Sequence, residues 1–226
     1  MKQAFFITAT DTEAGKTVVA GLLANFLDKK GYQTTTQKWI QTGAANGASD
    51  IDLHQEFIGK PAKASALRVP YTFKFPASPH LAADLEKKKI KPAHIKKCFK
   101  DLTKTNDYVV VEGIGGALVP YNHKNFVVDI AKDLALPTII VAPNKLGVIN
   151  HLLLTIEALK KRQIKILGVI FNQIPKEKKN IQADNPRIVA KVSGVKVLGT
   201  LPWTKNKPTL RRAFASIGNK ILKEIN

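Results

Sequence analysis

Gly15, Lys16 and Thr17 close the stretch FFITATDTEAGKT (5–17), in which an apolar run leads into a lysine and a hydroxyl directly after a glycine. These are the last residues of the pattern G-x-x-x-x-G-K-[ST]. In that pattern backbone N–H groups at a helix N-terminus converge on a phosphate, the lysine reaches the β- and γ-phosphates, and the hydroxyl binds Mg²⁺. The start of the pattern is not met. Thr10 stands at the first glycine's position, and Asp11 and Glu13 add negative charge where phosphate oxygens would lie. Acids there could sit favourably at the positive end of the helix dipole, or face a cationic substrate.

Mg²⁺ takes oxygen ligands, commonly one or two carboxylates with substrate phosphates. Asp50 and Glu112 are the natural pair on the metal side, with Thr17 as the third oxygen. Glu112 ends the apolar run of VVVEGIGGALVP (109–120), and Gly113, Gly115 and Gly116 after it let backbone approach a reacting group closely. Lys38, in TTTQKWIQTG (34–43), follows a strand-like run and would be a second cation beside Lys16 for a phosphoryl group in transfer. His54, His80, His94, His123 and His151 show no metal-ligand spacing, so no zinc site is expected.

Such residues need a frame, and the periodicity supplies one. Short β-rich apolar runs alternate with segments of helical period: AFFITA (4–9) as a strand, 16–30 as a helix, YQTTTQ (32–37) as a strand. Ser49 is expected to cap a helix through Phe57, stopped by Gly59 and Pro61. Residues 60–80 hold four prolines and read as a long functional loop. Helices are expected near 78–89 and 92–104, a strand in DYVVVEG, a helix in FVVDIAKDL, and a strand in PTIIVAP. A helix over 147–162, a strand in KILGVIFNQ, a helix near 184–192, a strand in KVLGTL and a closing helix complete the chain. Uniformly apolar strands separated by helices imply an α/β fold: one mostly parallel sheet with helices on both faces, a single domain over 1–226. Ligands gather at the carboxyl ends of such strands, where Lys38, Glu112, Asn144, Lys145 and Asn172 are expected.

The 226 residues carry 36 Lys and Arg against 17 Asp and Glu, a net charge of +19. The cations fall in four separate groups without aromatic interleaving, so the reading is solvated helix faces rather than a nucleic-acid track. Cys98 is the only cysteine, which excludes an internal disulfide. No apolar run is long enough to cross a bilayer, and no leader is evident. A cytoplasmic protein with no membrane partner is the expectation.

Together these motifs resemble the dethiobiotin synthetase family of the P-loop class. TDTEAGKT resembles that family's loop, which carries these acids and one residue more than the common spacing. PYTFKFPASPHLAA resembles its substrate-side segment and VVVEGIGGALVP its glycine-rich acid motif. NKLGVINHLLLT resembles the segment that reaches a neighbouring subunit's site, and GVIFNQI and LGTLPW its adenine-side strand ends.

The resemblance implies ATP-dependent carboxylation and ring closure of 7,8-diaminopelargonate with carbon dioxide, through a carbamate and its anhydride with phosphate, with Mg²⁺ as cofactor and a homodimer as the assembly. By position it implies that Lys38, Lys16 and Thr12 act on the reacting groups. Glu13, Ala14, Gly15, Lys16, Thr17 and Val18, with Asp50, Glu112, Gly113 and Gly115, would hold the nucleotide's phosphates and metal, and Asn172, Gln173, Pro202 and Trp203 its base. Thr42 would contact the diamine. Leu146, Gly147 and Asn150 would bind its carboxylate across the dimer. Four departures stand out: Ala9 for glycine, Trp39 for proline, Thr42 for serine and Gln173 for an acid. Ala9 is expected to reshape the phosphate pocket. Two other readings share the fold: a partitioning ATPase switch that binds DNA, and an amidotransferase synthetase domain. Against the first, its signature lysine would fall on Thr10, Asp11 or Thr12.

Overall fold

The structure is a computed structural model that describes residues 3–44, 49–60 and 65–225. Pro61, one of the expected helix stops, lies outside them. In chain order the elements are β1 (Gln3–Ala9), α1 (Lys16–Lys29), β2 (Thr34–Lys38), β3 (Ile40–Gln41), α2 (Asp50–Ile58), β4 (Tyr71–Thr72), α3 (Pro79–Leu85) and α4 (Pro92–Thr105). Then follow β5 (Tyr108–Glu112), α5 (Val127–Asp133), β6 (Thr138–Asn144), α6 (Val148–Lys161), β7 (Ile166–Gln173), α7 (Lys179–Ser193), β8 (Val197–Leu201) and α8 (Lys207–Lys223).

Six strands form one sheet in the order β2-β5-β1-β6-β7-β8, and every neighbouring pair is parallel. Side chains alternate between its faces. Phe5, Ile7 and Ala9 of β1 join α1, α2 and α8 in one core, while Phe6 faces α3 to α7 on the other. Both faces are therefore buried, which is why the strands read as continuous apolar runs rather than alternating ones. The carboxyl ends of β1, β2 and β5 share one rim.

The helix starts follow local chemistry. Ser49 Oγ accepts from Ile51 N–H at 3.1 Å, and Asp52 Oδ2 accepts from Ser49 N–H at 3.1 Å, a reciprocal cap that sets where α2 begins. Gly59, at φ 79°, ends it. Gly21 of α1 lies so close to α2 that an added Cβ would come within 2.9 Å of Phe57. The close approach brings α2 down over the strand ends.

Three elements differ from the sequence expectation. The 60–80 segment is not a bare loop: β3 and β4 pair in a second small parallel sheet, and Phe73 N–H donates to Gln41 O at 2.8 Å. The expected helix over 78–89 is shorter, with its C-cap at Glu86 and Lys87 at φ 50°. α7 begins well before residue 184 and runs through Pro186. A proline there removes the N–H that would reach the Gln182 carbonyl. Asn144 Nδ2 donates to that carbonyl instead, at 2.9 Å. Asn144, expected on the ligand rim, is thus fully buried and spent on holding α7, with Asn185 Nδ2 donating to its Oδ1 at 2.9 Å.

Candidate functional site

The phosphate loop leaves the carboxyl end of the central strand β1. Glu13 and Gly15 have φ of 54° and 91°, and Ala14 between them does not share that left-handed conformation. Such a turn aims successive N–H groups into one concavity, a nest for an anion. Gly15 has no room for a side chain: an added Cβ would lie 2.1 Å from Asn172 Nδ2, which donates to Ala14 O at 2.5 Å. Asn172 therefore ties the loop to β7.

Neither acid of the loop caps α1. Its N-cap is Gly15, without a side-chain cap, and the first turn holds no acid. Asp11 Oδ1 accepts from its neighbour's backbone and hydroxyl, Thr12 N–H at 2.7 Å and Oγ1 at 3.3 Å, and both residues are exposed. Ala9 ends β1 without positive φ and is fully buried, so the alanine is accommodated without backbone strain. The expected reshaping of the pocket has no cause in the backbone.

Lys16 folds back over this turn, with Nζ donating to Asp11 O at 2.9 Å. Burial, together with the nearby Lys38 charge, lowers its pKa to about 8 against the opposing pull of Glu112, Asp50 and Asp11. Beside it lies a largely buried polar cluster at the rim. Lys38 Nζ reaches Asp50 Oδ2 at 2.7 Å and Glu112 Oε1 at 2.8 Å, and donates to Gly113 O at 2.8 Å. Thr17 Oγ1 donates to Glu112 Oε1 at 3.0 Å. Burial alone would neutralise both ends of the central pair. The reverse occurs. Glu112 and Asp50 outweigh desolvation and raise the Lys38 pKa, while Lys38 and His54 hold Glu112 down at about 2.

Trp39, the departure beside Lys38, is fully buried and stacks on Phe6 at 5.1 Å. Lys38 N–H donates to Arg68 O at 2.8 Å, in the turn before β4, so the backbone of this edge-strand lysine is also held on the side away from β5. Gln41, not singled out by sequence, bridges the next segment: its Oε1 accepts from Asp50 N–H at 3.3 Å and its Nε2 donates to Thr42 O at 3.1 Å.

The residues expected on the base side converge as well. Glu13, Ala14, Gly15 and Val18 line one groove with Asn172, Gln173, Pro202 and Trp203. Trp203 is 64% exposed. The glycine turn after β5 rests on the phosphate loop, since a Cβ on Gly115 would fall 3.8 Å from Thr12 and one on Gly116 3.4 Å from Thr10 O. Leu146, Gly147 and Asn150 stand apart from the cluster at the exposed start of α6, and share no hydrogen bond with it among the described residues. Leu146 N–H already donates to Glu177 Oε2 at 2.9 Å.

Comparison with known proteins adds the identity. A family model described as an AAA domain matches residues 3–207. The ATP-dependent dethiobiotin synthetase BioD 2 of Haemophilus ducreyi is 38% identical over 184 residues, 80% of this chain and 87% of the relative. The ATP-dependent dethiobiotin synthetase BioD of Bacillus cereus (strain G9842) is 36% identical over 220 residues, 96% of this chain and 90% of the relative.

The chain belongs to the dethiobiotin synthetase family.

As a dethiobiotin synthetase it is an ATP-dependent ligase of biotin biosynthesis. Solved structures extend the likeness of fold alone. The MinC:MinD cell division protein complex of Aquifex aeolicus gives a TM-score of 0.63 at 16% identity, covering 99% of this chain and 96% of that one. A structure of pNOB8 ParA bound to nonspecific DNA gives 0.62 at 11% identity, covering 100% and 99%. The partitioning-type reading shares the sheet, and the sequence relatives favour the synthetase over it. Among the described residues no helix is long and apolar enough to cross a membrane.

His54, like Gln41, is a residue at the site to which sequence reasoning gave no role. It is fully buried, and its Nε2 lies 2.7 Å from Glu112 Oε2. The signal was present: His54 follows Asp50 by one helical turn, which places the two on one face.

Proposed function

We propose that this dethiobiotin synthetase, acting as one domain, joins carbon dioxide to the two amines of 7,8-diaminopelargonate with ATP as the activating co-substrate. The observation that carries the reading is the convergence of Lys38, Glu112, Asp50 and Thr17 beside the phosphate loop and Lys16. The donors fit Mg²⁺: two carboxylates and a hydroxyl are hard oxygen ligands. Among the described residues no three His, Cys, Asp or Glu form a metal cage of their own, which suits an ion that takes its remaining ligands from phosphate and water. When bound, Mg²⁺ would neutralise charge on the β- and γ-phosphates, held by Thr17, Asp50 and Glu112.

One amine takes up carbon dioxide and loses a proton to become a carbamate. A carbamate oxygen attacks the γ-phosphorus and ADP leaves. The second amine then attacks the anhydride carbon, phosphate leaves, and the ureido ring closes. The protein's part is positioning and charge stabilisation. Lys38 has three N–H donors, and all three are engaged. Asp50 is the partner able to release it, because its side chain is 31% exposed against 1% for Glu112. The freed N–H would then serve a carbamate or phosphoryl oxygen, with Lys16 on the other side and Thr12 helping to align the reactants.

The base-side groove would take adenine, with the Trp203 ring lying open beside it. Thr42 would contact the diamine. Leu146, Gly147 and Asn150 would receive the substrate carboxylate of a second copy, giving a homodimer. Exposed Leu118, Leu146 and Leu154 support that reading as apolar surface available for such a contact. The test is phosphate release from ATP with and without the diamine and bicarbonate. Release that requires both is the expected result, whereas release indifferent to the diamine would overturn the proposal. Mixing Lys38→Ala with Asn150→Ala protein should restore part of the activity if the site is shared between subunits.

A further inference from the structure

The Glu112 carboxylate divides its two oxygens between different tasks. Oε1 accepts from Lys38 Nζ at 2.8 Å and Thr17 Oγ1 at 3.0 Å, on the rim side. Oε2 has one partner among the described residues, His54 Nε2 at 2.7 Å. A carboxylate held ionised by Lys38 only accepts, so the proton between them sits on Nε2. The other ring nitrogen, Nδ1, is buried with no hydrogen-bond partner among the described residues. Among the described residues the imidazole therefore has a single hydrogen bond, the one to Glu112. An apolar residue at position 54 would leave no such orphan atom, and what the imidazole adds over it is the bond to Oε2.

That bond governs orientation. The terminal torsion of a glutamate is broad, so an unrestrained carboxylate turns freely. Here Oε2 is pinned from α2, whose close packing on α1 at Gly21 is what lets His54 reach this deep: an added Cβ there would meet the His54 Cα at 3.2 Å. Partners one shell out orient metal-binding side chains and commonly decide their affinity. We infer that His54 is a positioning residue, which holds Oε2 so that Glu112 presents Oε1 alone to Lys38, Thr17 and Mg²⁺. The inference rests on the Mg²⁺ reading above.

Gln and Met are close in shape, and only Gln retains an N–H near the Nε2 position. The test compares His54→Gln, His54→Met and Glu112→Gln in the full-length protein. Mn²⁺ binding in the presence of a non-hydrolysable ATP analogue is followed by electron paramagnetic resonance, and the Mg²⁺ dependence of turnover is measured alongside. His54→Met should raise the half-saturating metal concentration by about tenfold or more, His54→Gln by less than about threefold, and the diamine KM should move little in either. If His54→Met does not fold, His54→Leu supplies the donor-free arm. Unchanged metal binding in the donor-free variant, or equal losses in it and in His54→Gln, would overturn the inference. Where Glu112→Gln weakens the metal and His54→Met does not, the inference falls alone. If Glu112→Gln also binds Mn²⁺ like the parent, the Mg²⁺ reading falls and takes the inference with it.

Discussion

Lys38 and Glu112 are register partners on the adjacent parallel strands β2 and β5, and their side chains meet at 2.8 Å in a fully buried ion pair. Parallel register sends partnered side chains to the same face, so a pairing of strand ends becomes a pairing of charges. Strands 74 residues apart thereby build the centre of the site.

Removing the cation has two expected consequences. Lys38→Ala should lower kcat by about 10²–10³, the usual result of deleting one donor to a developing negative charge. It should also destabilise the protein by about 3–5 kcal/mol, because Glu112 is left buried without its countercharge. Steady-state kinetics and urea unfolding measure the two effects separately.

The same pair sets an acid limit. Glu112 is held at about 2, against 4.5 for an unperturbed carboxyl. A depressed folded-state value contributes stability that is complete above the unfolded value and is lost as pH falls from there towards 2. Lys38→Met should shrink this acid-side slope. Unfolding free energies measured at successive pH values below about 5 would show a slope no different from the parent if the pair is not responsible.

Lys16 gives a signal at the other end of the scale. With its folded-state pKa lowered to about 8, the free enzyme loses this ammonium as pH rises through 8. Nucleotide affinity should weaken over that range. Stability should move the opposite way, rising between about 8 and 10.5 as the folded state is relieved of a buried charge that the unfolded chain still carries. Lys16→Arg, always charged, should lose the pH dependence of binding. Fluorescent-nucleotide titrations at several pH values test this directly.

Gly15→Ala should fail for two reasons at one atom. The position has φ 91°, and the new Cβ would lie 2.1 Å from Asn172 Nδ2. A left-handed non-glycine residue costs about 1–2 kcal/mol, and the displaced Asn172 lets go of the loop. Nucleotide binding weaker by about tenfold or more is expected, read by calorimetric titration.

Ala9→Gly should do little to the nucleotide. Ala9 lies in β1 without positive φ, so the substitution relieves no strain. The nucleotide KM should stay within about twofold, and stability should fall by about 0.5–1 kcal/mol through backbone entropy. A clear gain in nucleotide affinity would show that the Cβ narrows the pocket after all.

The order of the six main-sheet strands and their helices, the phosphate loop and Lys38, Glu112 and Asn172 at strand ends follow from the sequence alone, whereas β3 and β4 do not. Apolar runs and helical periods are local, and Gly15-Lys16-Thr17 needs only the strand before it and the helix after it. What one sequence could not settle was which polar groups satisfy each other. Asn144 reads as a rim ligand, and only the fold shows it repairing the carbonyl that Pro186 leaves open. Asp11 and Glu13 read equally as caps or substrate contacts, until the left-handed turn at Glu13 and Gly15 removed them from α1. His54 looked like a stray histidine, because its partner is 58 residues away and comes within reach only where α2 packs over the end of β5. Local structure answers to neighbours along the chain. Buried polar groups answer to whatever the fold brings within hydrogen-bond distance, and that is a property of the tertiary structure.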